Sequence, residues 1–118
     1  MISQDDLLTL MHDLESDRVE RTTSLSNTGK FSQAVCAFAN DMPNHRKPGY
    51  LMIGVQDNGQ LNQLVVTDEL LKTLAALRSN GAIQPLPVIS VEQFSFPEGQ
   101  VAVVEVLPSD LPPVRFPK

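Results

Sequence analysis

Near the start of the chain, Leu7, Leu10, Met11 and Leu14 recur at helical spacing, and Ser3 with Asp6 three residues later forms a capping-box-like start. The pattern predicts a first helix over residues 4–14. Residues 19–25, VERTTSL, are rich in β-branched side chains and run into the turn residues Ser26, Asn27, Thr28 and Gly29, which predicts a short strand. Phe31, Ala34, Val35, Phe38 and Ala39 then mark one stripe of a second helix over 30–40. The unbroken apolar run YLMIGV at 50–55 reads as a central strand buried on both faces, closed by the turn Asp57, Asn58 and Gly59.

Thr67 is the expected N-cap of a third helix, with Asp68 and Glu69 in its first turn, Leu70, Leu71, Leu74, Ala75 and Leu77 on its buried face, and Arg78 in its last turn before Gly81. Strands at 88–96 and 101–107 follow, joined through Pro97, Glu98 and Gly99 as a hairpin, with an apolar phase shift between Val91 and Phe94 that hints at a bulge. The elements therefore run helix, strand, helix, strand, helix, strand, strand. This order predicts an α+β fold: one mixed sheet of about four strands with helices against it. Gly54, inside the central strand, marks a close backbone approach. The tail PSDLPPVRFPK, with four prolines, favours extended structure.

A length of 118 residues fits one domain, here 1–118, and excludes two full ones. No apolar run approaches the ~20 residues of a membrane helix. The net charge of -5 excludes a surface that traps polyanions everywhere, so any nucleic-acid contact must be a local basic patch. The single cysteine, Cys36, has no partner for an internal disulfide, and acids stand where a signal peptide carries bases. Together these predict a reducing, cytoplasmic location.

Three carboxylates are placed to converge: Glu15 at the end of the first helix, Glu20 in the first strand and Asp57 just past the central strand. Converging carboxylates suit Mg²⁺ or Mn²⁺ and leave room for water and a phosphate. The commoner use of such residues is plainer: a solvated helix end paired with Arg18 or Arg21, and an aspartate turn. His45, Arg46 and Lys47 form the one basic cluster, and with Arg18, Arg21 and Lys30 they make a candidate patch for phosphates, or simply a solvated loop. Tyr50 alone is a poor stacking platform. His12 has no partner at metal spacing and reads as surface, and Cys36 reads as a small buried residue.

ESDRVERT at 15–22, AVCAFAN at 34–40 and LMIGVQDNG at 51–59 together resemble the Schlafen AlbA-type domain, a family described as DNA-binding. The resemblance implies the strand order β-α-β-α-β-β (Alba-like), with the first helix as an N-terminal addition. It implies that the chain is the N-terminal module of a longer protein, of the kind described as transcriptional regulators or as ATP-binding or helicase-related proteins. RNA-cleaving Schlafen relatives use two glutamates and an aspartate at the motif positions of Glu15, Glu20 and Asp57. Two departures stand against this: the family's Glu-Phe-Lys is here Glu20-Arg21-Thr22, and its Gly-Gly after the helix is replaced by the loop from Asp41 to Gly49.

Three expectations follow. The first is a nucleic-acid-binding regulatory module contacting DNA or RNA through Arg18, Arg21, Lys30, His45, Arg46 and Lys47. The second is a nuclease dependent on Mg²⁺ or Mn²⁺ at Glu15, Glu20 and Asp57. The third is an interaction module, because apolar strands near a sheet edge invite pairing with another copy, which predicts a homodimer.

Overall fold

The computed structural model describes residues 2–41, 46–79, 83 and 86–109. Its elements follow the expected order: α1 (Gln4–Met11), β1 (Val19–Thr22), α2 (Thr28–Asn40), β2 (Gly49–Ile53), α3 (Asp68–Ala76), β3 (Ile89–Phe96) and β4 (Gly99–Val106). The strands form one sheet in the order β1-β2-β4-β3. β1 and β2 are parallel and connected through α2, whereas β4 runs antiparallel to both β2 and β3. The sheet is therefore mixed, and the fold is the α+β one that the element order predicts, with the Alba-like topology that the resemblance implies.

The sheet is covered on both faces. On one, Phe31, Val35 and Ala39 of α2 and Leu70 and Leu74 of α3 pack on Leu51, Ile53, Ala102, Val104 and Val106. On the other, Ile2, Leu7 and Met11 lie on Val19, Tyr50, Met52, Val101 and Val103. Strands in the middle of such a sheet have no polar side, so β2 and the VAVV core of β4 read as continuous apolar runs.

The two coverings also explain the phase shift in β3, where no bulge forms. Its pairing with β4 is uninterrupted from Ile89↔Val106 to Phe96↔Gly99. Ile89 and Val91 join the cluster under α2 and α3, while Phe94 and Phe96 join the one under α1. The strand changes which face carries its apolar residues, not its register.

Several element ends differ from the sequence reading. α1 stops at Met11 because the Arg21 guanidinium takes the carbonyls of Leu10, Met11 and Asp13 at 2.9–3.1 Å, which leaves Leu14 outside the helix and 54% exposed. β1 ends at Thr22, whose hydroxyl accepts the Ser24 N–H and whose carbonyl accepts the Gly54 N–H at 2.7 Å. α2 begins earlier than expected, at Thr28, because the Asn27 side chain caps it by accepting the Lys30 N–H at 3.0 Å. α3 ends at Ala76, so Arg78 lies beyond it. Among the described residues no helix is long and apolar enough to cross a membrane.

β2 closes at Gly54, which adopts φ +105; a Cβ there would lie 2.7 Å from the Gln100 carbonyl oxygen. This is the close approach that a glycine inside the apolar run implied. Past it, Val55 bridges to Leu61, and the chain turns through Asp57, Asn58 and Gly59.

Candidate nucleic-acid interface

Because β1 and β2 are parallel, their carboxyl ends lie side by side, and the segments leaving them diverge: one turns into α2, the other into the 56–62 turn. Such a divergence opens a crevice where α/β sheets commonly hold ligands. Here it is an open hollow of about 600 Å³ lined by Thr22 at the end of β1 and Thr23 after it, Gln56, Asp57, Asn58 and Asn62 after β2, and Lys30. A second hollow of similar size, lined by Glu20, Asn27, Gly29, Lys30 and Gln33, adjoins it along α2. Lys30 is common to both.

The charges at this end are mixed: Lys30 and the buried Arg21 stand beside Asp57 and Glu20. The first turn of α2 contains no acidic residue and carries Lys30, so the helix's amino-terminal partial charge and an ammonium add rather than cancel. Lys30 Nζ lies 3.6 Å from Glu20 Oε1, and both side chains are exposed to solvent. An exposed pair of this kind is worth at most about 1 kcal/mol, so a phosphate oxygen can displace the carboxylate as the lysine's partner. The hydroxyls and amides around it are neutral hydrogen-bonding groups of the type that contact sugar and phosphate.

The remaining basic residues are divided by the fold. Arg18 precedes β1: its Nε donates to the Pro48 carbonyl at 3.0 Å, and its guanidinium lies 5.9 Å from the centroid of the Tyr50 ring, a cation–π contact. Arg46, at φ +55 with its N–H donating to Asp41 at 2.7 Å, and Lys47 are exposed in the segment entering β2. Arg18, Arg46 and Lys47 thus belong to the amino ends of the parallel strands and Lys30 to the carboxyl ends. Arg21 borders the hollow, but it is 9% exposed and three of its N–H groups are spent on the end of α1. His45 lies outside the described residues.

The acidic trio is distributed differently. Glu15 is exposed in the turn between α1 and β1, its N–H bonded to the Asp13 carboxylate. Glu20 pairs with Lys30 toward α2, and Asp57 is exposed at the rim of the hollow. The pleat of β1 sends Glu20 to the α2 side, while Arg21 ties the turn before β1 to the α1 side. Among the described residues there is no group of three or more His, Cys, Asp or Glu side chains able to hold a metal ion.

Residues that the sequence did not single out are the neutral ones of the hollow: Thr22, Thr23, Gln56, Asn58 and Asn62. Their only signal was position, just past two strands whose parallel pairing had not been established.

Among the described residues, Tyr50 and Cys36 have an altered acidity. Burial pushes the Tyr50 phenol above its ordinary value, reinforced by Glu105, whose carboxylate accepts its O–H at 3.1 Å. Burial likewise raises the Cys36 thiol, which leaves it a packing residue in α2 rather than a nucleophile.

The fold recurs in the solution NMR structure of the N-terminal domain of an ATP-dependent DNA helicase RecG-related protein from Nitrosomonas europaea, with a TM-score of 0.67. The match covers 93% of this chain and 76% of that one at 22% identity. No curated protein sequence is significantly similar to the chain. Residues 15–118 match the Schlafen AlbA_2 family model, from the turn before β1 through both halves of the parallel pair and the hairpin, and the chain belongs to that family.

Proposed function

We propose that this domain is a nucleic-acid-binding regulatory module that holds the sugar–phosphate backbone of DNA or RNA in the hollow at the carboxyl ends of β1 and β2. The observation that carries the reading is Lys30 in a first helical turn without acids, its ammonium held among the described residues only by the exposed Glu20 and set beside a rim of hydroxyl and amide groups that also carries Asp57. Family membership supports it, as does the recurrence of the fold in the N-terminal domain of an ATP-dependent DNA helicase RecG-related protein. Arg18, Arg46 and Lys47, at the amino ends of the parallel strands, supply a second point of attachment, so a backbone crossing both would be gripped at two places. No arrangement among the described residues favours the metal-dependent nuclease alternative.

Fluorescence anisotropy with labelled single strands and duplexes of DNA and RNA tests the proposal. Affinity should fall as salt rises, with a shallow slope of about −2 to −3 in log K against log salt, because only a few phosphates are contacted. Lys30→Ala should weaken binding to all sequences alike and reduce the slope by about 1. Absence of binding at low salt, or binding that ignores salt, would overturn the reading.

A further inference from the structure

β3 forms one edge of the sheet, and among the described residues nothing pairs with its outer side. The Leu107 N–H donates to the Val88 carbonyl at 3.0 Å. The alternation of antiparallel bonding then assigns the inward backbone groups to Ser90, Glu92, Phe94 and Phe96. Those of Ile89, Val91, Gln93 and Ser95 point away from the sheet.

Exposed edges are normally blunted by shortness, proline, lysine or a bulge. β3 has none of these: it is eight residues long, reads ISVEQFSF, and keeps an unbroken register with β4. The opposite edge is a contrast in length, since β1 is four residues long and carries two charges, Glu20 and Arg21, against the single Glu92 in the eight residues of β3. The two edges are thus not equivalent, and β3 is the one built as a template.

We propose that β3 pairs antiparallel with β3 of a second copy of this chain, about a two-fold axis normal to the sheet, to give one continuous sheet. The occupant follows from self-complementarity. A two-fold axis normal to the sheet keeps each face on its own side, so only residues on the same face can be opposed. Centring the pair on Gln93 sets that amide against its own counterpart, Val91 against Ser95 and Glu92 against Phe94. Centring it on Glu92 would oppose two carboxylates, a destabilising arrangement. The Gln93 register therefore leaves no like charges face to face on either side. β1 and the hollow beside it lie at the far edge of each copy, so this pairing is independent of the nucleic-acid reading and leaves both hollows open.

Light scattering on a size-exclusion column, from micromolar to near-millimolar protein, reads the association directly. The mass should rise from 13.0 kDa toward twice that value. Gln93→Pro removes an outward N–H and no bond to β4, and should hold the chain at the monomer mass with its circular dichroism unchanged. Gln93→Lys opposes two ammonium groups across the axis and should weaken the dimer about fivefold or more, with partial recovery at high salt; this variant decides the matter if the proline variant unfolds. A monomer mass at every concentration, or a dimer untouched by the variants that remain folded, would overturn the proposal. Loss of the dimer with nucleic-acid binding retained would separate it from the function proposed above.

Discussion

Arg21 shows how much a single side chain's role depends on what folds against it. In sequence it is one of several arginines near an acidic segment. In the structure its guanidinium donates to the carbonyls of Leu10, Met11 and Asp13 and so ties the end of α1 to β1, adding to the backbone N–H groups that Leu10 and Asp13 already accept. Arg21→Met should therefore destabilise the fold by about 2–3 kcal/mol in urea titration, since hydrogen bonds to a charged group are among the stronger ones. Arg21→Lys should recover only part, because an ammonium lacks the planar fork. Tyr50 offers a second test, because it is the chain's single tyrosine and there is no tryptophan. Its absorbance titration should have a midpoint above 10.0, displaced first by burial and then by Glu105. Glu105→Gln should bring it part of the way back. The sign for stability follows: with the folded value raised, the contribution is complete below the unfolded tyrosine's range and is lost as pH rises through the folded midpoint.

Among the elements, the sequence located strands and helices well and their ends less well. Periodicity reports which residues are buried, while ends are set by caps and by partners distant in the chain. Asn27 was legible as turn chemistry, yet its use as the cap of α2 depends on the chain entering at the right angle from β1. Asn27→Ala should cost about 1 kcal/mol of stability. Gly54 was legible as a close approach, but the partner, the Gln100 carbonyl, is supplied by β4. Gly54→Ala combines a left-handed φ with a Cβ pressed on that oxygen, and should lower stability by about 1–3 kcal/mol in thermal or chemical denaturation. The phase shift in β3 was a true signal with two physical sources available, a bulge or a change of apolar face. Local sequence does not distinguish them, and the packing of Phe94 and Phe96 under α1 decided for the second.

At the scale of the molecule, α1 lies outside the stretch matched to the family, yet it is integral to the core. Leu7 is 0% and Met11 2% exposed, and with Ile2 they cover the face formed by Met52, Val101 and Val103. A chain restricted to residues 15–118 should consequently melt at lower temperature and bind a hydrophobic dye, whereas the full chain should not. Leu7→Ala in the full chain should cost about 2–5 kcal/mol, the range for emptying a packed leucine site. A truncated chain with unchanged melting would show that α1 is dispensable. The net charge of -5 also acts at this scale: it repels polyanions overall, so productive contact depends on where the few cations are gathered.

The sequence by itself determined the α+β class, the order of the seven elements, the two apolar strands of the sheet's middle and the family, because these rest on local periodicity and on motifs contiguous in the chain. Only tertiary structure decided which charged side chains remain available. It committed Arg21 to α1, paired Lys30 with Glu20, and tied Arg18 to the Pro48 carbonyl at the entry to β2. It also kept Glu15, Glu20 and Asp57 from forming a metal-holding group among the described residues. Charge is written in the sequence, but its neighbours are set by pairing between strands remote from one another, and a side chain's chemistry is a property of those neighbours.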